Sequence, residues 1–159
     1  MQKKKVIWYF VGVVAIITIL IVVNPFKKDI WDTNAENFKY SFQPISGNSV
    51  IDDLSQWTPF EWDTLYSFKP YTAKEDIYET IGYKWDDISE ALSEEINQIV
   101  FTKDGMVVCY LYGSPEYNKL GFDFGTYEGS YIKFSSNQKL SFETTIIKEN
   151  GVRYFKYNE

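Results

Sequence analysis

From Val6 to Val23 the chain reads VIWYFVGVVAIITILIVV, eighteen residues without a charge. At 1.5 Å per residue a helix of that length covers about 27 Å, close to the hydrocarbon thickness of a bilayer. Trp8, Tyr9 and Phe10 stand near one end of the run, and Phe26 and Trp31 near the other, where an aromatic belt would lie. A helix apolar on every face needs lipid or a much larger protein around it. The pattern predicts a single-pass signal anchor in the cell membrane over residues 1–26, ended by Asn24-Pro25. Lys3, Lys4 and Lys5 precede the run, and Lys27 and Lys28 follow it. That small basic excess predicts a cytoplasmic N-terminus and a C-terminal domain outside. A cleaved signal peptide is the competing reading. Val22-Val23-Asn24-Pro25 offers no small-x-small site, and Thr33-Asn34-Ala35 lies far from the apolar core, so the uncleaved anchor is preferred.

The remainder divides into a polar tether, 27–42, and one extracytoplasmic domain, 43–159. A unit of that size can bury a real core. Tyrosine, phenylalanine and tryptophan together make up 19% of the chain, enough to fill one. The net charge is −6, and no acidic residue precedes Asp29, so the acid excess lies downstream of the apolar run. Such a surface disfavours nucleic acid. Cys109 is the lone cysteine, so no intramolecular disulfide forms and no lipobox follows the apolar run. Its setting, Met106-Val107-Val108-Cys109-Tyr110-Leu111-Tyr112, predicts a buried, inert thiol.

Along the domain, Ser49 could cap a short helix through Asp52, Asp53 and Leu54. Residues 61–68 alternate, are rich in β formers and stop at Lys69-Pro70, which predicts a strand. Thr72-Ala73-Lys74-Glu75 has the form of a capping box, and Gly82 ends the helix that follows, 73–81. A second short helix is expected over 86–95, with Ile88, Ala91 and Leu92 inward. Two apolar runs, 96–101 and 106–112, flank Asp104-Gly105 and predict a hairpin. Further strands are expected over 131–134, 140–147 and 152–157, the last two joined through Asn150-Gly151. This order predicts an α+β fold: an antiparallel sheet of about five to six strands with one or two short helices on one face.

The chemistry is sparse. The chain has no histidine, so Ser-His-Asp and Cys-His triads are excluded, and with one cysteine so is a Cys/His zinc site. No Walker A or GxGxxG pattern occurs. Asp52-Asp53, Asp86-Asp87 and Glu94-Glu95 are adjacent pairs, which read as solvated turns and helix starts rather than carboxyls facing across a cleft. No enzyme activity, cofactor or metal is therefore expected. The aromatics crowd between Trp57 and Trp85. Most fill the core, while Trp57, Trp62, Tyr71 and Trp85 are candidates for a binding face that stacks on sugar rings or grips a peptide.

Trp62-Asp63-Thr64-Leu65-Tyr66-Ser67-Phe68-Lys69-Pro70-Tyr71-Thr72, followed by Glu75 and Gly82, resembles a segment of an uncharacterised family of small membrane-anchored or lipoprotein-like proteins of Firmicutes. That segment has the form W-D-x-[VL]-Y-x-F-x-P-Y-[ST]. Ile99-Val100-Phe101 with Asp104-Gly105 and Val107-Val108 resembles the same family's hairpin. The likeness covers 61–124 and brings no activity or site with it. It implies a Gram-positive envelope and so an outside domain. The function expected on these grounds is a membrane-anchored extracytoplasmic domain that binds a protein partner, one form being an immunity- or inhibitor-like protein against a basic target. The alternative is a cell-wall glycan-binding module using exposed aromatics.

Overall fold

The computed structural model describes residues 13–14, 28–147 and 149–158. The first element whose whole extent is described is a helix, α1, over Ile30–Ser41. Eight strands follow: β1 Ser49–Ile51, β2 Thr64–Phe68, β3 Asn97–Lys103, β4 Met106–Gly113, β5 Leu120–Asp123, β6 Tyr131–Ser135, β7 Phe142–Ile147 and β8 Val152–Tyr157. Helix α2, Lys74–Ile81, lies between β2 and β3, and a single turn, α3, Pro115–Asn118, lies between β4 and β5.

The expected single sheet is corrected to two, each of four strands. One has the order β1-β7-β8-β5 and the other β4-β3-β2-β6. All pairings are antiparallel except β5 with β8, which is parallel. The chain does not meander from β6 to β7 within one sheet. β6 pairs back on β2, and Leu140, fully buried, carries the chain across with its carbonyl accepting from the Leu54 amide at 2.8 Å.

Burial explains why the sheets separate. The larger core holds Phe122, Phe142 and Phe155 from one sheet and Leu65, Ile99, Phe101 and Leu111 from the other. A second core lies on the opposite face of the β2-containing sheet, where Tyr66, Phe68, Val100 and Tyr110 meet Ile77 and Ile81 of α2 and Ile88. That sheet is therefore covered on both faces. Its central strand β3 is buried without a break from Gln98 to Thr102, which is why the sequence there is apolar rather than alternating.

A bulge in β4 divides the strand between the two cores. Phe101 pairs with Cys109 and Thr102 with Val107, leaving Val108 as the extra residue. The side-chain period of a strand is two, so the insertion sends Val107 to the helix-side core while Cys109 stays between the sheets. Asn34 Nδ2 of α1 donates to the Val108 carbonyl at 2.8 Å, and the Val107 amide donates to the Tyr83 hydroxyl at 3.0 Å. Both groups would otherwise be open on an edge strand.

The segment read as a tether, 27–42, is thus helix over Ile30–Ser41 and part of the domain, with Ala35, Phe38 and the following Phe42 buried in the larger core. The helix expected over 86–95 is absent, since backbone groups there are taken from outside. The Tyr110 hydroxyl accepts from the Ser89 amide, the Tyr112 hydroxyl donates to the Glu90 carbonyl, and the Ala91 carbonyl accepts from the Tyr71 amide. Ile88 and Ala91 are buried as expected, but Leu92 is 72% exposed. The capping box also fails: Thr72 Oγ1 donates to the Lys69 carbonyl, and Ala73 holds the cap position. Ser49 opens β1 instead of a helix, and Asp53 caps a 3-10 turn, Leu54–Trp57. Gly82 does end α2, at φ 90°, and Asp104-Gly105 turns the hairpin with both residues at positive φ.

The membrane expectation is corrected as follows. Among the described residues no helix is long and apolar enough to cross a membrane. The run from Val6 to Val23 lies outside the described residues apart from Val13 and Val14, which are helical and exposed. The lipid partner, the signal anchor and the single-pass placement with an outside domain all required a spanning helix, and none is found among the described residues.

Helix α1 is held chiefly by Phe38, 1% exposed, whose ring meets Phe42 at 4.9 Å, Phe101 at 5.2 Å and Phe122 at 5.8 Å. Phe38→Ala is expected to cost about 3–5 kcal/mol, the usual cost of an aromatic-sized void. Urea denaturation measures it, and a loss below about 1 kcal/mol would mean that α1 packs too loosely to be part of the core.

Candidate functional site

The four candidate aromatics do not share a surface. Trp62 is 6% exposed, with its indole N–H on Thr58 Oγ1 at 3.0 Å and its ring against Phe101. Trp57 is half-buried and stacked on Phe42 at 5.7 Å. Trp85 is half-buried, edge-to-face with Trp31 at 5.3 Å and with Tyr110 at 5.2 Å. Tyr71 alone is exposed, on a turn at φ 67°. The rings are mostly committed to packing, so no aromatic platform forms from this set.

A groove instead runs along α1, where that helix faces α3 and the start of β8. The local sequence builds its far wall. Gly113 leaves β4 at φ 133°, and Ser114 caps α3 by accepting the Tyr117 amide at 3.3 Å. Pro115 occupies the first turn, and Lys119 stops the helix at φ 60°. At φ 133° a side chain would be strained, and a Cβ on Gly113 would also lie 3.1 Å from both the Tyr117 ring and Asn118 Nδ2, so glycine is favoured there. This turn puts Tyr117 out into solvent, 79% exposed, and Asn118 inside, 4% exposed.

Asn118 Nδ2 is buried and has no hydrogen-bond partner among the described residues. Asn118 lines a cavity of about 420 Å³ together with Glu36, Lys39, Tyr40 and Gln43 of α1 and its end, Lys119, and Arg153 of β8. Arg153 is aimed by two carbonyls, Nε donating to Ile45 and Nη2 to Gln43, each at 3.1 Å. Lys119 Nζ donates to the Asn150 carbonyl at 3.3 Å. These partners fix the two cations without neutralising them. Among the described residues neither has a carboxylate within ion-pair distance, whereas Lys39 is paired with Glu36 at 2.7 Å. The Lys39 hydrogen bond holds the Glu36 carboxyl below its ordinary value. The result is a small positive site on an acidic chain.

A second cavity of about 260 Å³ lies beside the first, with Glu36, Lys39, Tyr117 and Asn118 in both linings. Trp31, Tyr110 and Tyr112 wall it, and Asp32 and Asp87 add acid. Another depression, of about 400 Å³, lies on the outer face of the β5-containing sheet, where the Tyr154 ring covers Gly121. It contains no unpaired buried polar group among the described residues, which sets the α1 groove apart. Cys109 takes no part in any of these sites. It is fully buried, and burial pushes its thiol well above the ordinary range.

No family model, curated protein or solved structure matches the chain. The resemblance over 61–124 therefore rests on its motifs alone. Asn118, Lys119 and Arg153 were not singled out from sequence, and Asp87 was read there only as part of a solvated acidic pair. Gly113-Ser114-Pro115 was the available signal, since Ser then Pro after a glycine marks a helix start.

Tyr110 links the groove to the core beneath it. Its hydroxyl accepts from the Ser89 amide and from Gln98 Nε2, each at 3.1 Å, and burial pushes its pKa from 10.0 up to about 12. A raised phenol pKa favours the neutral folded form, so this stabilisation is complete below pH 10 and fades as pH rises toward 12. Tyr110→Phe is expected to cost about 1–3 kcal/mol near neutrality, because two donors lose their acceptor. The stability gap between wild type and variant should then narrow from pH 10 to 12 in urea titrations. A constant gap would remove the phenol from the account.

Proposed function

We propose that this domain is a non-catalytic binding module that holds a small carboxylate-bearing ligand in the groove between α1, α3 and β8. The observation that carries the reading is Asn118 Nδ2, a buried donor with no acceptor among the described residues, in the same lining as Lys119 and Arg153, neither of which is ion-paired among those residues, while the one acid of that lining, Glu36, is paired with Lys39. An unpaired buried donor costs about 1–3 kcal/mol, and an oxygen acceptor in the groove would remove that cost. Arg153 supplies a planar fork suited to a carboxylate, and Lys119 a point charge. Arg153 is aimed before any ligand arrives, which reduces the ordering entropy of binding. The absence of histidine from the chain and the sealing of its lone thiol support a role in binding rather than turnover. The membrane-held interaction role and the glycan alternative are replaced by this reading. No described helix can span a bilayer, and the proposed aromatics are dispersed through the fold.

The test is a titration of the isotope-labelled full chain with acetate and then succinate, followed by NMR. Saturable shifts of the Asn118 side-chain amide are expected, with affinity reduced about tenfold or more by Lys119→Gln, the loss of one charge-assisted contact. Weak shifts scattered over the surface, or affinity indifferent to Lys119, would overturn the reading.

A further inference from the structure

We infer that the ligand of this groove is a short peptide of about three residues with both termini free, laid along α1; this rests on the carboxylate reading above. The groove changes chemical character along its length. At the Lys119 and Arg153 end it is cationic. The second cavity is walled by Trp31 and Tyr112, with Asp32 and Asp87 beside them, and the Glu36–Lys39 ion pair lies in the lining of both cavities. Asp87 has no cation within ion-pair distance among the described residues, and Asp32 has only Lys28, exposed, at 3.6 Å. Aromatic faces flanked by carboxylates are a setting for an ammonium group, which gains both ring attraction and charge pairing.

The length of the groove sets the length of the ligand. Asp32 of the second cavity and Lys39, which lines both, are seven positions apart on one helix, about 10 Å at 1.5 Å per residue, and this is the least span that carries a ligand from one cavity into the other. An extended peptide covers about 3.3–3.6 Å per residue, so three residues span the interval. An α-amino acid is too short to reach both ends. Asn118 is in the lining of both cavities, and its side-chain amide has no acceptor among the described residues. A peptide carbonyl is the acceptor that position lacks. The two charged ends also fix direction: a reversed peptide would set its carboxylate against Asp87 and its ammonium against Arg153.

The experiment titrates the full chain with trialanine, N-acetyl-trialanine and trialanine amide, reading the Asn118 side-chain amide and the Trp31 indole N–H by NMR. Trialanine is expected to shift both signals. Acetylation should weaken binding about tenfold or more and silence Trp31, amidation should weaken it comparably, and Asp87→Asn should copy the effect of acetylation. If acetylated and free trialanine bind equally, the ammonium end is refuted while the carboxylate reading stands. The peptide inference also fails if trialanine does not bind while succinate still shifts Asn118. If amidation has no effect, or if neither succinate nor trialanine binds, the underlying carboxylate reading falls as well.

Discussion

The contact on which the rest of this fold depends is the ring of Phe38 against Phe101 in one sheet and Phe122 in the other. Two twisted four-stranded sheets packed face to face leave gaps where their edges diverge, and an unfilled gap forfeits dispersion contacts along its whole lining. Helix α1 closes one such gap. Phe42, one turn on, continues the closure against Phe155 at 4.8 Å and Trp57 at 5.7 Å. The polar face of the same helix forms one wall of the groove. The core contact and the candidate site are therefore two sides of one element, and neither exists without α1 in place.

Edges are the second constraint. Strand β4 would offer a free edge, but its bulged carbonyl is taken by Asn34 and its Val107 amide by Tyr83. Strand β5 is closed by a side chain acting as a strand: Asn97 Oδ1 accepts the Phe122 amide at 3.1 Å, and its Nδ2 donates to the Phe122 carbonyl at 3.4 Å. Asn97 itself begins β3, so this pair also ties one sheet to the other. In the centre of the outer strand β6, Lys133 is exposed, with its ammonium 5.8 Å from the Tyr66 ring. A charge at mid-strand discourages another strand from pairing there. Side-chain amides and one lysine thus do for these edges what further strands would otherwise do.

Local chemistry was legible in the sequence and tertiary choices were not. The Asp104-Gly105 hairpin, the glycine stop of α2 and the strands from β2 to β4 and β6 to β8 were readable because turn dihedrals and β-rich runs are local properties. The split into two sheets was hidden, because β6 and β7 are separated by an ordinary turn and only burial of Leu140 shows the chain crossing between layers. Helix α1 was hidden for a different reason. Its apolar positions, Ala35, Phe38 and Phe42, are few, and its polar Asn34 is buried for the sake of a carbonyl on another strand. The region 86–95 had a helical pattern in Ile88 and Ala91, yet its backbone partners come from Tyr71, Tyr110 and Tyr112, residues distant in sequence. Strand β5 is four residues long and holds a glycine, too little pattern to stand out.

The groove residues share a cause for their obscurity. Asn118, Lys119 and Arg153 carry no motif, and they meet because α3 is a single turn bracketed by two left-handed residues, Gly113 at φ 133° and Lys119 at φ 60°. A lysine in that conformation is about 1 kcal/mol worse than a glycine would be, and Asn118 adds the cost of a buried amide without an acceptor. Packing alone would favour Gly at 119 and an apolar residue at 118. Retaining a cation at one position and an amide donor at the next opposes that preference twice over, within two residues. Local rules broken together at a concave surface are what a binding site leaves in a fold otherwise consistent with its sequence.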